Sequence, residues 1–275
     1  MAETAVKDSS LSTAELAAAI DHFRTLIEPD MVNELQPSRS NAVYTTWVTV
    51  FLLIYQRLSG NASLQEAVAE LLTIADGFSS NKRVRNQTLS SNSSAYSQAR
   101  SRLNGNVTDA VADRVYEKIV SAMKPSWRDR RAFIIDGTTT ALQSSDELRK
   151  EWPAGSNQHG PGTWPICQLV VAHELASGAA IRPEVGAMYG PEAVSELQLS
   201  KRLLPRIPAN SMVMGDKNFG VFYFVYAAAQ AGHEVLVRLT KPRYLCLKRS
   251  AKQAGLRQQA SLIFAQQVEC GLAEM

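Results

Sequence analysis

The hydrophobic pattern changes period at Lys124-Pro125-Ser126, and that change limits the possible folds more than any other feature of the chain. Upstream, apolar residues recur at helical spacing. Downstream they gather into short runs bounded by Gly, Pro and Ser, the pattern of strands. A helical region of residues 1–125 followed by an α/β region is therefore expected. The 275 residues suffice for one large domain or two modest ones.

In the first region Thr13-Ala14-Glu15 opens a helix to about Leu26, with Ser12 or Thr13 as cap. Residues 42–55, within a helix expected over 41–58, are the most apolar stretch. They are too short and too threonine-dotted to span a membrane, so a buried helix is expected. Ser63-Leu64-Gln65-Glu66 has the form of a capping box for a helix reaching about Ile74. The polar stretch 79–94 reads as a loop, residues 94–103 as a helix, and Thr108 as the cap of a helix over 109–123.

In the second region strands are expected over 132–136, 166–173 and 179–185, the last two joined at Ala176-Ser177-Gly178 as a hairpin. A helix over 192–204 with Pro191 at its start follows, then a strand 212–214, a helix 219–231 and a strand 234–239. The order β-β-β-α-β-α-β matches the mixed sheet of the ribonuclease-H-like fold, here expected over residues 126–245. In that fold the first and fourth strands lie side by side.

Those two strands each deliver an acid. Asp136 follows Phe133-Ile134-Ile135 and precedes Gly137-Thr138; Asp216 follows Met212-Val213-Met214-Gly215 and precedes Lys217-Asn218-Phe219-Gly220. Carboxylates at the carboxyl ends of adjacent strands are where open α/β sheets build sites. Two-metal phosphodiester chemistry uses divalent ions about 3.5–4 Å apart, and Mg²⁺ favours carboxylates, water and phosphate oxygens. On this reading Asp136 and Asp216 are metal ligands, and Lys217 and Asn218 contact a nearby phosphate. Each acid also has a plain alternative: Asp136-Gly137 as a turn at a strand end, and Asp216 as the N-cap of the next helix.

Charge is unevenly spread. Residues 1–30 carry six acids and two bases, whereas residues 82–131 carry eleven bases and four acids, net +7. Residues 241–275 carry six bases and two acids, net +4. Two basic segments suit a polyanionic partner, although solvated helix faces give the same pattern. Arg100, Arg102, Arg238 and Lys241 are the candidate DNA contacts, although an exposed strand end explains Arg238 and Lys241 as well. Cys167, Cys246 and Cys270 form no CxxC pair, so a reduced chain in the cytoplasm without a zinc site is expected, and no secretory signal opens it.

Phe-Ile-Ile-Asp136-Gly-Thr and Gly-Asp216-Lys-Asn-Phe-Gly resemble the first and second acidic motifs of bacterial DDE transposases of the insertion-sequence-four family. Gly160-Pro161-Gly162-Thr163-Trp164-Pro165, Ala231-Gly232-His233-Glu234-Val235-Leu236-Val237-Arg238-Leu239-Thr240 and Ser97-Gln98-Ala99-Arg100-Ser101-Arg102-Leu103 continue the resemblance, which covers roughly residues 40–245. It implies a helical DNA-binding region and Mg²⁺, with Mn²⁺ as substitute, at Asp136 and Asp216. The partner implied is double-stranded DNA bearing terminal inverted repeats, held by a dimer in a synaptic complex, with no membrane involved and a nucleoid-associated location. The implied reaction is cut-and-paste: the element end is nicked, the freed 3′-hydroxyl attacks the opposite strand, and target joining follows.

One part of the family pattern is missing. Its third acid lies in a Tyr-x-x-Arg-x-x-x-Glu-x-x-x-x-x-x-Lys helix beyond a β-rich insertion. Only Glu269 and Glu274 follow Glu234 here, with Ala265 and Cys270 where the Arg belongs. The expectation is a truncated chain with no third catalytic Glu, residues 246–275 being the start of the insertion. A non-catalytic DNA-binding or dimerising fragment, inhibiting a full-length copy, is the alternative. A haloacid-dehalogenase-type phosphohydrolase is rejected, because the acid it needs is replaced by Gly220 and its nucleophile pattern by Ile134.

Overall fold

The computed structural model describes residues 13–73, 81–86, 88–158 and 160–253, and the chain divides into two compact units after Lys118. The expected boundary near residue 125 falls seven residues later than this division.

The first unit contains helices α1 (Thr13–Leu26), α2 (Pro29–Leu35), α3 (Thr46–Leu58), α4 (Leu64–Thr73), α5 (Lys82–Arg85) and α6 (Ser94–Arg102), with α7 (Gly105–Ser121) running across the division. Helix α3 is the core element. Its Trp47, Val48, Phe51 and Leu52 pack with Val68, Leu71, Tyr96, Val107 and Val111. Burying each large side chain contributes about 1.5–3 kcal/mol. Trp47 also donates its indole N–H to the Ile27 carbonyl at 2.8 Å, so its one polar atom is satisfied inside.

Local polar chemistry sets the helix ends. Thr45 caps α3 by accepting from Val48 N–H, so this helix begins at Thr46 and not at 41. Ser63 and Glu66 form the expected reciprocal pair before α4, at 2.6 and 3.2 Å. Helix α7 starts earlier than expected. Asn104, not Thr108, accepts the first-turn N–H of Asn106, and the Thr108 hydroxyl turns back to the Gly105 carbonyl. Helix α2 was not anticipated, although Pro29 near its start is a usual N-terminal signal, and α5 interrupts the expected 79–94 loop. Ser12, Ile74 and residues 79, 80 and 87 of the expected loop lie outside the described residues.

The second unit is α/β. Its elements are β1 (Ala132–Ala141), α8 (Asp146–Glu151), a small hairpin of β2 (Ser156–Asn157) and β3 (Gly160–Pro161), β4 (Ile166–Glu174), β5 (Glu184–Ala187), α9 (Glu196–Leu203), a 3-10 turn (Leu204–Arg206), β6 (Met212–Gly215), α10 (Phe222–Gln230), β7 (Glu234–Val237) and α11 (Lys241–Gln253). The main sheet has five strands in the order β5-β4-β1-β6-β7. It is mixed: β4 runs antiparallel to both β1 and β5, while β1, β6 and β7 are parallel.

Several expectations change here. Strand β1 does not end at Asp136 but continues to Ala141, because β4 pairs with it along that whole length. The third strand begins at Glu184; before it, Ala180 makes only an isolated bridge to His173. Helix α9 starts at Glu196, capped by Ser195 in a capping box with Gln198, so Pro191 lies outside it. Residues 246–253 continue α11, and no strand of an insertion appears among the described residues; Glu269, Glu274 and Cys270 lie outside them. Among the described residues no helix is long and apolar enough to cross a membrane.

Candidate functional site

The parallel register brings the two aspartates together. Ile134 pairs with Met214, the last pairing of β1 with β6, and each aspartate lies two residues beyond its partner in that pair. Neighbouring strands are about 4.8 Å apart. Asp136 and Asp216 therefore stand side by side where β1 parts from β6, outside the carboxyl end of a parallel pair. Both are exposed to solvent.

The plain alternatives for both acids fail. Asp136-Gly137 makes no turn, since both residues lie within β1. Asp216 does not cap α10, whose N-cap is Val221. Instead, its Oδ1 accepts the Asn218 N–H at 2.7 Å, folding the loop back beside the carboxylate. Asp136 Oδ1 accepts the Gly137 N–H at 2.9 Å.

That loop is fixed from two sides. Phe219 is fully buried and packs on Phe224 at 5.0 Å between ring centres. From α11, Arg243 Nη1 donates to the carbonyls of Lys217 at 3.0 Å and Gly220 at 3.2 Å. Gly220 fits against the Arg238 carbonyl, which a Cβ there would meet at 2.6 Å.

A third carboxylate joins the aspartates. The sheet directions explain its place: β4 reverses β1 and β5 reverses β4, so β5 runs along β1 and ends at the same edge. Helix α9 therefore starts at the edge that carries Asp136 and Asp216, and Glu196 is its first residue. Its carboxylate lies over Gly137, in the space a Cβ at that position would occupy. Burial, then the charges of Asp136 and Asp216, push the Glu196 carboxyl above the usual range, while the Gly137 N–H pulls the other way. Glu196 had no signal of its own in the sequence, because an acid in the first turn of a helix is the ordinary complement to the helix dipole.

The structure thus gathers Asp136, Asp216, Lys217 and Asn218, adds Glu196, and puts the Arg238 carbonyl and Arg243 behind the loop. Lys217, Asn218, Arg238 and Lys241 are exposed. Arg100 and Arg102 belong to α6 of the helical unit. Arg100 is half-buried with its guanidinium 5.8 Å from the Tyr96 ring centre, a cation–π contact; Arg102 is exposed. Among the described residues no three His, Cys, Asp or Glu side chains form a ready-made metal cage. Burial is the main cause of the raised Glu196 carboxyl, and the repulsion from Asp136 and Asp216 that adds to it is what a divalent cation there would relieve; hard carboxylate oxygens suit Mg²⁺. Cys167 is buried and Cys246 exposed, both as free thiols, and burial pushes the Cys167 thiol up.

Set against models of known protein families and against curated proteins, the chain matches none of them.

Proposed function

We propose that this edge is a divalent-cation site for phosphodiester chemistry on DNA, of the kind DDE transposases perform, built on a ribonuclease-H-like core. The observation that carries the reading is the convergence of Asp136 and Asp216 from adjacent parallel strands with Glu196 alongside. Mg²⁺ or Mn²⁺ held there supplies charge stabilisation for the attacking and leaving oxygens. Asp136 and Asp216 would hold the cation, with the Glu196 carboxylate beside them. Lys217 and Asn218, at the exposed tip of the loop, orient the phosphate backbone. The substrate is duplex DNA, and two element ends engaged together require two chains.

The second reading is a DNA-binding chain without turnover, favoured by the lack of a ready-made three-ligand cage among the described residues. Incubating the chain with element-end duplex and Mg²⁺ or Mn²⁺ separates the two. Strand cleavage that disappears in Asp136→Asn and Asp216→Asn and weakens in Glu196→Gln supports the catalytic reading. Binding without cleavage, with Mn²⁺ affinity still dependent on Asp136, supports the second. Mn²⁺ affinity indifferent to all three substitutions removes the site altogether.

A further inference from the structure

Helix α10 has the composition of a buried helix but only one buried side. It reads Phe222-Tyr223-Phe224-Val225-Tyr226-Ala227-Ala228-Ala229-Gln230, with no charged side chain, in a chain whose residues are 20% charged. Phe224, Val225 and Ala228 are buried. A covering helix of this kind ordinarily turns charged and polar residues to water. At about 100° per residue, the opposite side of α10 carries Phe222, Tyr223, Tyr226, Ala229 and Gln230. Phe222 is 56% exposed and Tyr223 43%. Phe222 and Tyr226, one turn apart, stack with ring centres 5.6 Å apart. A single cation borders this side among the printed ring contacts: the Lys201 ammonium of α9 lies 5.3 Å from the Tyr223 ring centre.

Aromatic side chains without charge are the make-up of the centre of a protein–protein interface. A surface that holds a nucleic-acid backbone needs several cations instead. The order of side-chain sizes along the helix then selects the partner. The large rings stand early, at 222, 223 and 226, and the small side chains late, at 227 and 229. An antiparallel copy of the same helix, related by a two-fold axis at Tyr226, reverses that order. Phe222 then stands opposite Gln230 of the partner subunit, and Tyr223 opposite Ala229 of the partner subunit, so a ring meets a gap at both ends. Charge agrees with this choice. Two copies of a chain of net charge +3 meet at α10 without apposing like charges, whereas α11 would oppose five bases to five.

We infer that the outward side of α10 is a self-association face, through which two copies of this chain pair about a two-fold axis at Tyr226. One nine-residue helix buries less than about 1,200 Å² in total, so the pairing is of the weak class, with a dissociation constant of about 1–100 µM. It needs neither DNA nor a cation, and it stands whether or not the proposed function does. If that function holds, two chains carried on one duplex meet at a far higher effective concentration, and the face is then filled.

Sedimentation velocity of the full chain, free of nucleic acid and in EDTA, tests the inference over a concentration range that brackets this constant. The sedimentation coefficient should climb from monomer to dimer. Tyr226→Glu, which sets two carboxylates against each other at the axis, should raise the dissociation constant at least about tenfold. Raising the salt should change it less than about twofold, because no charge pair holds the face. Cross-linking keeps the question open to test if Tyr226→Glu does not fold. In a chain with Cys246→Ser and Cys270→Ser, a short bismaleimide should link Tyr226→Cys into dimers, and should not link Leu58→Cys, which is 83% exposed on α3. A monomer at every concentration, or a dimer indifferent to Tyr226→Glu and not linked through Tyr226→Cys, overturns the inference. So does a monomer whose affinity for single-stranded DNA falls with Phe222→Ser, since α10 would then be a platform for stacked bases. None of these outcomes touches the carboxylate site, whose failure would appear only in the Mn²⁺ and cleavage measurements.

Discussion

Two glycines flank the aspartates, and their surroundings predict opposite consequences for the same substitution. A Cβ on Gly137 would run into the carboxylate and Cγ of Glu196, the far end of a flexible, half-buried side chain. Glu196 can swing outward, so Gly137→Ala should change unfolding free energy by less than about 1 kcal/mol. It should nevertheless lower Mn²⁺ affinity as far as Glu196→Gln does, since both remove the same oxygen from the edge. A Cβ on Gly215 would meet Phe219 at 2.9–3.0 Å, and that ring is fully buried against Phe224. It has nowhere to go, so Gly215→Ala should destabilise by about 1–3 kcal/mol through overpacking. Urea melts and Mn²⁺ calorimetry on the pair check both halves. Equal stability losses would mean that Glu196 is held as firmly as Phe219, and that it does not adapt to the edge it occupies.

At the scale of elements, the loop after β6 depends on a helix that follows it by twenty residues. Arg243 bonds two carbonyls of the 217–220 turn from the first turn of α11. Arg243→Ala should free that turn, speeding hydrogen exchange of the Asn218 and Gly220 amides, while Arg243→Lys should restore only part of the protection because one ammonium replaces a planar fork. Exchange rates equal to wild type in Arg243→Ala would mean that Phe219 holds the loop unaided. The same elements show where pattern reading reaches and where it stops. The apolar runs at 132 and 212 announced the strands, and their pairing put Asp136 beside Asp216 as expected. The length of β1 was hidden, because Thr138-Thr139-Thr140 looks like a polar loop until β4 pairs with it. The cap of α7 is hidden for a similar reason: Asn104 and Thr108 are both good caps, and the bond that Gln36 accepts from the Asn104 backbone is a contact across sixty-eight residues. Glu196 was hidden most deeply. Its place follows only from counting two strand reversals from β1 to β5, and the four-residue β5 lies downstream of where its sequence signal began.

For the whole molecule, a net charge of +3 conceals an acidic opening and basic segments in both units. The first basic segment spans the arginines of α5 and α6, and the second is α11, with Lys241, Arg243, Lys248, Arg249 and Lys252 and no acid. If both meet the same duplex, their contributions are electrostatic, separate and additive in free energy, because the residues share no partner among the described contacts. Arg102→Gln should then lower log K by an amount that adds to that of the double substitution Lys248→Gln and Arg249→Gln, within about 0.3–0.5 kcal/mol. The salt slope of the triple variant should fall by the total of the two separate decreases. Anisotropy titrations of the four proteins, wild type included, supply the cycle. A triple variant no weaker than the poorer of its parents would mean that the two segments bind DNA in alternative modes, one displacing the other. In that case the helical unit could not deliver a duplex to the carboxylate edge through these contacts, and α11 would act only as the brace that Arg243 provides for the Asp216 loop.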